Sequence, residues 1–143
     1  MKQDNKQSSK LWVALPTAII AGVANVMLFF LFMVLYGHVI NPGHEESFYQ
    51  QAANRLGPVA SIIGGIPLMY MAGCWIGKRV GAELAVTAGI LVWLIYLTID
   101  LAIVAASGIE MTDLPMVVIS FVTKLGGVYL GARHSVKANS DGP

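Results

Sequence analysis

"LAVTAGILVWLIYLTIDLAIVAA", residues 84–106, carries a single charge, Asp100, in twenty-three positions. An α-helix needs about 20 apolar residues to cross the hydrocarbon core of a bilayer, with a range of about 17–25. The run fits that length, and its twelve Leu, Ile and Val residues outweigh one carboxylate. Each returns about 0.3–0.6 kcal/mol on insertion, against roughly 2.5–3.5 kcal/mol for a central Asp. Three more runs of the same kind follow on inspection: 11–36, 58–77 and 115–132. The sequence therefore predicts an all-α integral membrane four-helix bundle, a single transmembrane domain spanning residues 1–143.

Composition agrees with that reading. The chain is 56% hydrophobic and 12% charged, whereas soluble domains sit near about 45–50% apolar and about 25% charged. A net charge of +1 provides no basic field for nucleic acid. One cysteine, Cys74, excludes an internal disulfide and a multi-cysteine metal site. No cofactor motif is present, and no nucleophile–base pair or phosphate loop points to an enzyme. The first apolar run is 26 residues long, well beyond the about 7–15 of a signal peptide's core.

Lysine and arginine set the expected threading. Lys2, Lys6, Lys10, Lys78, Arg79, Arg133 and Lys137 fall on one side, and only Arg55 on the other. Positive residues stay cytoplasmic, so both termini are expected inside. Trp12 and Trp75 at one boundary and Tyr36 at the other suit an aromatic belt. Trp93 and Tyr96 lie too deep for one. The polar ends, 1–10 and 135–143, read as flexible tails. The compact build suits a bacterial inner membrane.

The first outer connection, residues 37–57, is the only long one. Its residues 44–56 predict a short amphipathic helix on the membrane surface, begun near Glu45 and Glu46 and ended by Gly57 and Pro58. His38, His44, Glu45 and Glu46 are metal-ligand types, but no helical ligand spacing joins them, so they are weak candidates and no metal is expected.

Close helix approach in a membrane relies on small residues. Gly65, Gly73, Gly77 and Gly81 share a row in the second helix with Ser61, and Gly127 and Gly131 share one in the fourth. "GCWIGKR" (73–79) and "GVYLGAR" (127–133) also echo one another. Parallel repeats generate such an echo, and so does the shared need for a small packing face.

The fourth run contains Lys124. Its eight Leu, Ile, Val and Phe residues return about 3.6 kcal/mol, barely matching one central lysine. A partner is needed, and Asp100 is the only carboxylate within the four runs. Asp100 and Lys124 lie at similar depth, about 10 and 14 Å from the outer boundary at ~1.5 Å per residue. Asn25, Pro67, Tyr70 and Tyr96 fall at comparable depth, completing an expected intramembrane cluster. An intramembrane ion pair is a functional hypothesis by default, and it also serves as interhelical glue. The leading expectation is a non-enzymatic membrane protein that packs or interacts, as a homo-oligomer or with another membrane protein. A small oligomeric transporter or channel using the Asp100 cluster is the alternative.

Overall fold

A computed structural model of the chain describes residues 11–106 and 114–140. Four helices account for nearly all of it. They are α1 (Ala14–Leu35), α2 (Glu46–Val80), α3 (Ala85–Ala106) and α4 (Leu114–Ser140). No strand occurs among the described residues. All four helices are long and apolar enough to cross a membrane. At ~1.5 Å per residue, α1 and α3, each 22 residues, span about 33 Å, close to the thickness of the hydrocarbon core.

The exposed residues make the same point. Ile20, Met27, Phe30 and Leu31 on α1 are more than half exposed, as are Ile63 on α2 and Val122 on α4. Exposed apolar surface of this extent marks a membrane or protein-partner interface. The buried face of α1 is made of small residues, Ala14, Ala18 and Ala21, packed on a core that includes Met69, Ile76, Val92 and Val128.

The connection after α1 is a widened π-turn, Tyr36–Ile40, closed by the Asn41 amide donating to the Tyr36 carbonyl at 2.8 Å. Tyr49 ties it to α2. Its ring lies against Gly37, and its hydroxyl donates to the Asn41 carbonyl at 2.8 Å.

Here the expected separate surface helix is corrected. Residues 46–57 are the first three turns of α2, and the helix runs unbroken through Gly57, Pro58 and Pro67 to Val80. A proline inside a helix removes one amide donor and crowds one carbonyl, and tertiary contacts can outweigh that. Phe29 of α1 packs 3.7 Å from where a Cβ of Gly57 would stand, and Tyr49 anchors the first turns. The 35-residue helix is about 52 Å long, so it exceeds the hydrocarbon thickness. It ends at Gly81, whose φ of +89° suits glycine, and the Gly81 amide donates to the Gly77 carbonyl at 3.2 Å.

The second tail is also corrected in part. Residues 135–140 belong to α4, and Ser135 is buried. Residues 1–10, 141–143 and the connection 107–113 lie outside the described residues.

α2 and α4 run in the same direction and form the most intimate pair in the bundle. Added Cβ atoms define the register. One at Gly73 would run into the backbone of Val128 and Ala132, and one at Gly131 into that of Tyr70 and Cys74. Gly77 faces Ser135, and Gly127 faces Ile66 and Tyr70. Gly81 is corrected out of this row, because it caps the helix and a Cβ there would meet nothing within 4 Å.

Candidate functional site

Lys124 sits where α4 crosses α2 and α3, with 0% of its side chain exposed. It fits because Gly65 of α2 has no side chain: a Cβ there would stand 2.5 Å from the lysine Cε. The ammonium has three donors, and all three are answered. Nζ donates to Ser61 Oγ at 2.9 Å, Tyr96 Oη at 3.1 Å and Asp100 Oδ2 at 3.2 Å. Tyr96 and Asp100 stand one turn apart on α3, so both face the same way.

α1 joins through Asn25, buried on its inner face. Its Nδ2 donates to Tyr96 Oη at 2.9 Å and to Ser61 Oγ at 3.4 Å. One polar network thus touches all four helices: Asn25 from α1, Ser61 from α2, Tyr96 and Asp100 from α3, Lys124 from α4. Ser120, one turn from Lys124 on α4, is buried with its Oγ unbonded among the described residues.

The carboxylate is placed differently from the ammonium. Asp100 keeps 22% of its side chain exposed and lines a crevice of about 240 Å³ between α1 and α3. Oδ2 takes the lysine, and Oδ1 accepts no bond among the described residues. The ammonium meets three acceptors from two helices, whereas the carboxylate accepts one bond, on Oδ2, and is partly exposed.

Two expected members of the cluster lie elsewhere. Pro67 is on an exposed face of α2, because a proline's crowded ring is better accommodated away from the packed α4 side. Tyr70 points toward the basic end of the bundle, where its hydroxyl meets His134 Nδ1 at 2.9 Å. Its ring direction follows from α2 and α4 touching at Gly131, which leaves no room for a phenol between them.

The histidines and acids around the α1–α2 connection do not converge. His38 Nδ1 pairs with the carbonyl of Val34 at 3.0 Å, and His44 stacks on Phe48 with ring centres 4.1 Å apart. Glu45 and Glu46 are exposed. Among the described residues no three metal-ligand side chains gather.

Sequence reasoning counted Ser61 as a small packing residue and missed it as a lysine acceptor. It also missed His134 as the partner of Tyr70. The deep aromatics now have their explanation. Tyr96 is the hub of the network, and Trp93 Nε1 donates across the interface to the Phe121 carbonyl of α4 at 3.0 Å.

Comparison with protein-family models, with curated proteins and with solved structures finds no match to this chain.

Proposed function

We propose that the chain is a small polytopic membrane protein without enzymatic activity, a packing or interaction subunit whose four helices are locked in register by the Asp100–Lys124 pair. The observation that carries this reading is the completeness of the lysine's bonding. All three Nζ donors are met, by groups from two other helices, in a side chain with no exposure. A residue that must release or accept a proton in a working cycle is poorly served by such a cage.

The reading includes both termini in the cytoplasm of a bacterial inner membrane, with lipid and another membrane protein or a second copy as partners. The parallel run of α2 and α4 supports the threading, since it brings Lys78, Arg79, Arg133 and Lys137 to one end of the bundle. At that end Arg79 stacks on Trp75 at 4.8 Å and Arg133 on Tyr129 at 5.6 Å, as residues at a headgroup boundary do.

The test is a stability cycle. Removing one partner of a buried pair costs about 3–5 kcal/mol, while replacing both by apolar groups is often neutral. Asp100→Asn and Lys124→Met are therefore expected to unfold far below wild type in mild detergent. Asp100→Leu with Lys124→Met is expected within about 1 kcal/mol of it. The recovery is favoured because Asn25 still donates to both Tyr96 and Ser61. Single variants as stable as wild type would refute the lock.

One observation favours transport instead: the exposure of Asp100 on the α1–α3 crevice. Proton or cation flux into liposomes that is present in wild type and absent in Asp100→Asn would establish that alternative.

A further inference from the structure

The crevice beside Asp100 is a place where the polar network reaches the surface of the bundle. Val23 and Val26 of α1 and Ile99 and Ile103 of α3 make its walls apolar, and Asn25, Tyr96 and Asp100 lie among them. Asn25 and Tyr96 are already bonded to each other. Asn25 Nδ2 is engaged by Tyr96 and Ser61, and Asp100 uses only Oδ2 toward Lys124, so the slot offers a charged acceptor among largely apolar walls.

Val23, Val26 and Ile103 are about half exposed on the bundle surface. An occupant therefore arrives sideways, out of the bilayer. The slot's volume of about 240 Å³ equals the share of roughly eight waters at ~30 Å³ each, so it takes a group the size of a phenol ring with its hydroxyl, and the tail of a longer occupant extends between the exposed valines toward the bilayer.

We propose that this crevice binds a neutral, membrane-dissolved lipophile with one hydroxyl donor, its O–H on Oδ1 of Asp100 and its apolar body between α1 and α3. Three alternatives fit less well. A plain acyl chain leaves a carboxylate oxygen unpaired against hydrocarbon, and an unmet buried acceptor is costly. A fatty acid brings a second carboxylate. A quaternary cation has no N–H to donate, and Asp100 is already neutralised by Lys124, so it would carry an uncompensated charge into the slot.

The inference rests on Asp100 and Lys124 being paired. That premise fails separately, through the stability cycle above, in which no ligand is present.

The experiment uses the full chain in lipid nanodiscs with isotope-labelled aspartate, followed by NMR. The Asp100 carboxyl resonance is identified as the one lost in the double variant Asp100→Leu with Lys124→Met, which is expected to be as stable as wild type. Titration with para-pentylphenol is expected to shift it saturably. Para-pentylanisole has the same shape without the donor, and is expected to bind roughly ten- to hundred-fold more weakly, as loss of a hydrogen bond to a charged group implies. Pentyltrimethylammonium is expected to leave the resonance in place. Gly22→Leu, which fills the slot from the α1 side, and Val23→Trp, which blocks its mouth, are each expected to abolish the phenol response. Equal binding of phenol and anisole, a saturable response to the ammonium, no response to phenol, or an undiminished response in both blocked variants would each overturn the proposal.

Discussion

Gly126 and Gly127 are neighbours on α4 with opposite surroundings, so alanine at each separates packing from helix propensity. A Cβ at Gly126 would meet nothing within 4 Å. A Cβ at Gly127 would lie 2.9 Å from the carbonyl oxygen of Ile66 and 3.5 Å from the amide nitrogen of Tyr70. Glycine to alanine inside a helix gains about 0.8–1.0 kcal/mol. Gly126→Ala is therefore expected to stabilise by up to ~1 kcal/mol. Gly127→Ala gains the same propensity but overpacks the α2–α4 contact, at about 1–3 kcal/mol. Its net effect is expected between neutral and ~2 kcal/mol destabilising. At Gly131 the opposing atoms are the Tyr70 backbone and the Cys74 amide nitrogen, the latter at 3.0 Å. Backbone cannot rotate away, so α2 and α4 must part, and Gly131→Ala is expected to be the least stable of the three.

Thermal unfolding in mild detergent reads the order directly, with roughly 2–4 °C per kcal/mol for a chain of this size. The double variant Gly73→Ala with Gly131→Ala adds a second check. Both changes open the same gap, so their combined loss is expected to fall short of the sum. If Gly127→Ala and Gly131→Ala are as stable as Gly126→Ala, α2 and α4 do not meet along these residues.

Two further outcomes concern threading and register, each in a background where Cys74 is replaced by alanine. Ser47→Cys is expected to react with an impermeant thiol reagent from outside, and Ala82→Cys only once the membrane is opened; the reverse pattern refutes the threading. A cysteine pair at Gly77 and Ser135 is expected to oxidise readily, because the Ser135 Cβ lies 3.0 Å from the Cβ position of Gly77 and a separation of a few tenths of an ångström reaches disulfide range. A pair at Gly77 and Gly131 is expected to stay reduced; cross-linking there and not at Ser135 would shift the register by a turn.

The number of membrane-grade helices and the two charges within them were legible in the sequence for one reason. Charge inside hydrocarbon is expensive, so Asp100 and Lys124 stand out against long apolar runs, and each singles out the other. Hydroxyls are cheap by comparison and give no such signal. Thr17, Thr98 and Thr123 each bond back to a carbonyl of their own helix, at 2.6, 2.9 and 2.8 Å. A serine such as Ser61, which reaches across to another helix, looks no different in sequence. The continuity of α2 was hidden for a related reason. Gly57 and Pro58 are strong local stop signals, and the contacts that override them, from Phe29 and Tyr49, come from tertiary packing.

The echo between residues 73–79 and 127–133 shows where pattern and packing part. A parallel repeat with a two-fold axis between α2 and α4 would set matching positions level, Gly73 with Gly127 and Gly77 with Gly131. The contacts instead set Gly73 against Val128 and Ala132, and Gly131 against Tyr70 and Cys74. Those contacts are themselves reciprocal, with Gly73 level with Gly131 and Gly77 level with Ser135. The local pseudo-symmetry of the interface is therefore displaced by four residues, one helical turn or about 6 Å, from the symmetry of the strings. Shared ancestry of two hairpins is not needed to produce the strings. A glycine every fourth residue lets two backbones touch, an aromatic beside it suits the headgroup boundary, and an arginine one turn further suits the positive side. The one-turn offset also decides which side chains face Lys124. It sets the lysine against Gly65 and within reach of Ser61, so the ammonium meets a hydroxyl where sliding α4 by a turn would give it an apolar surface.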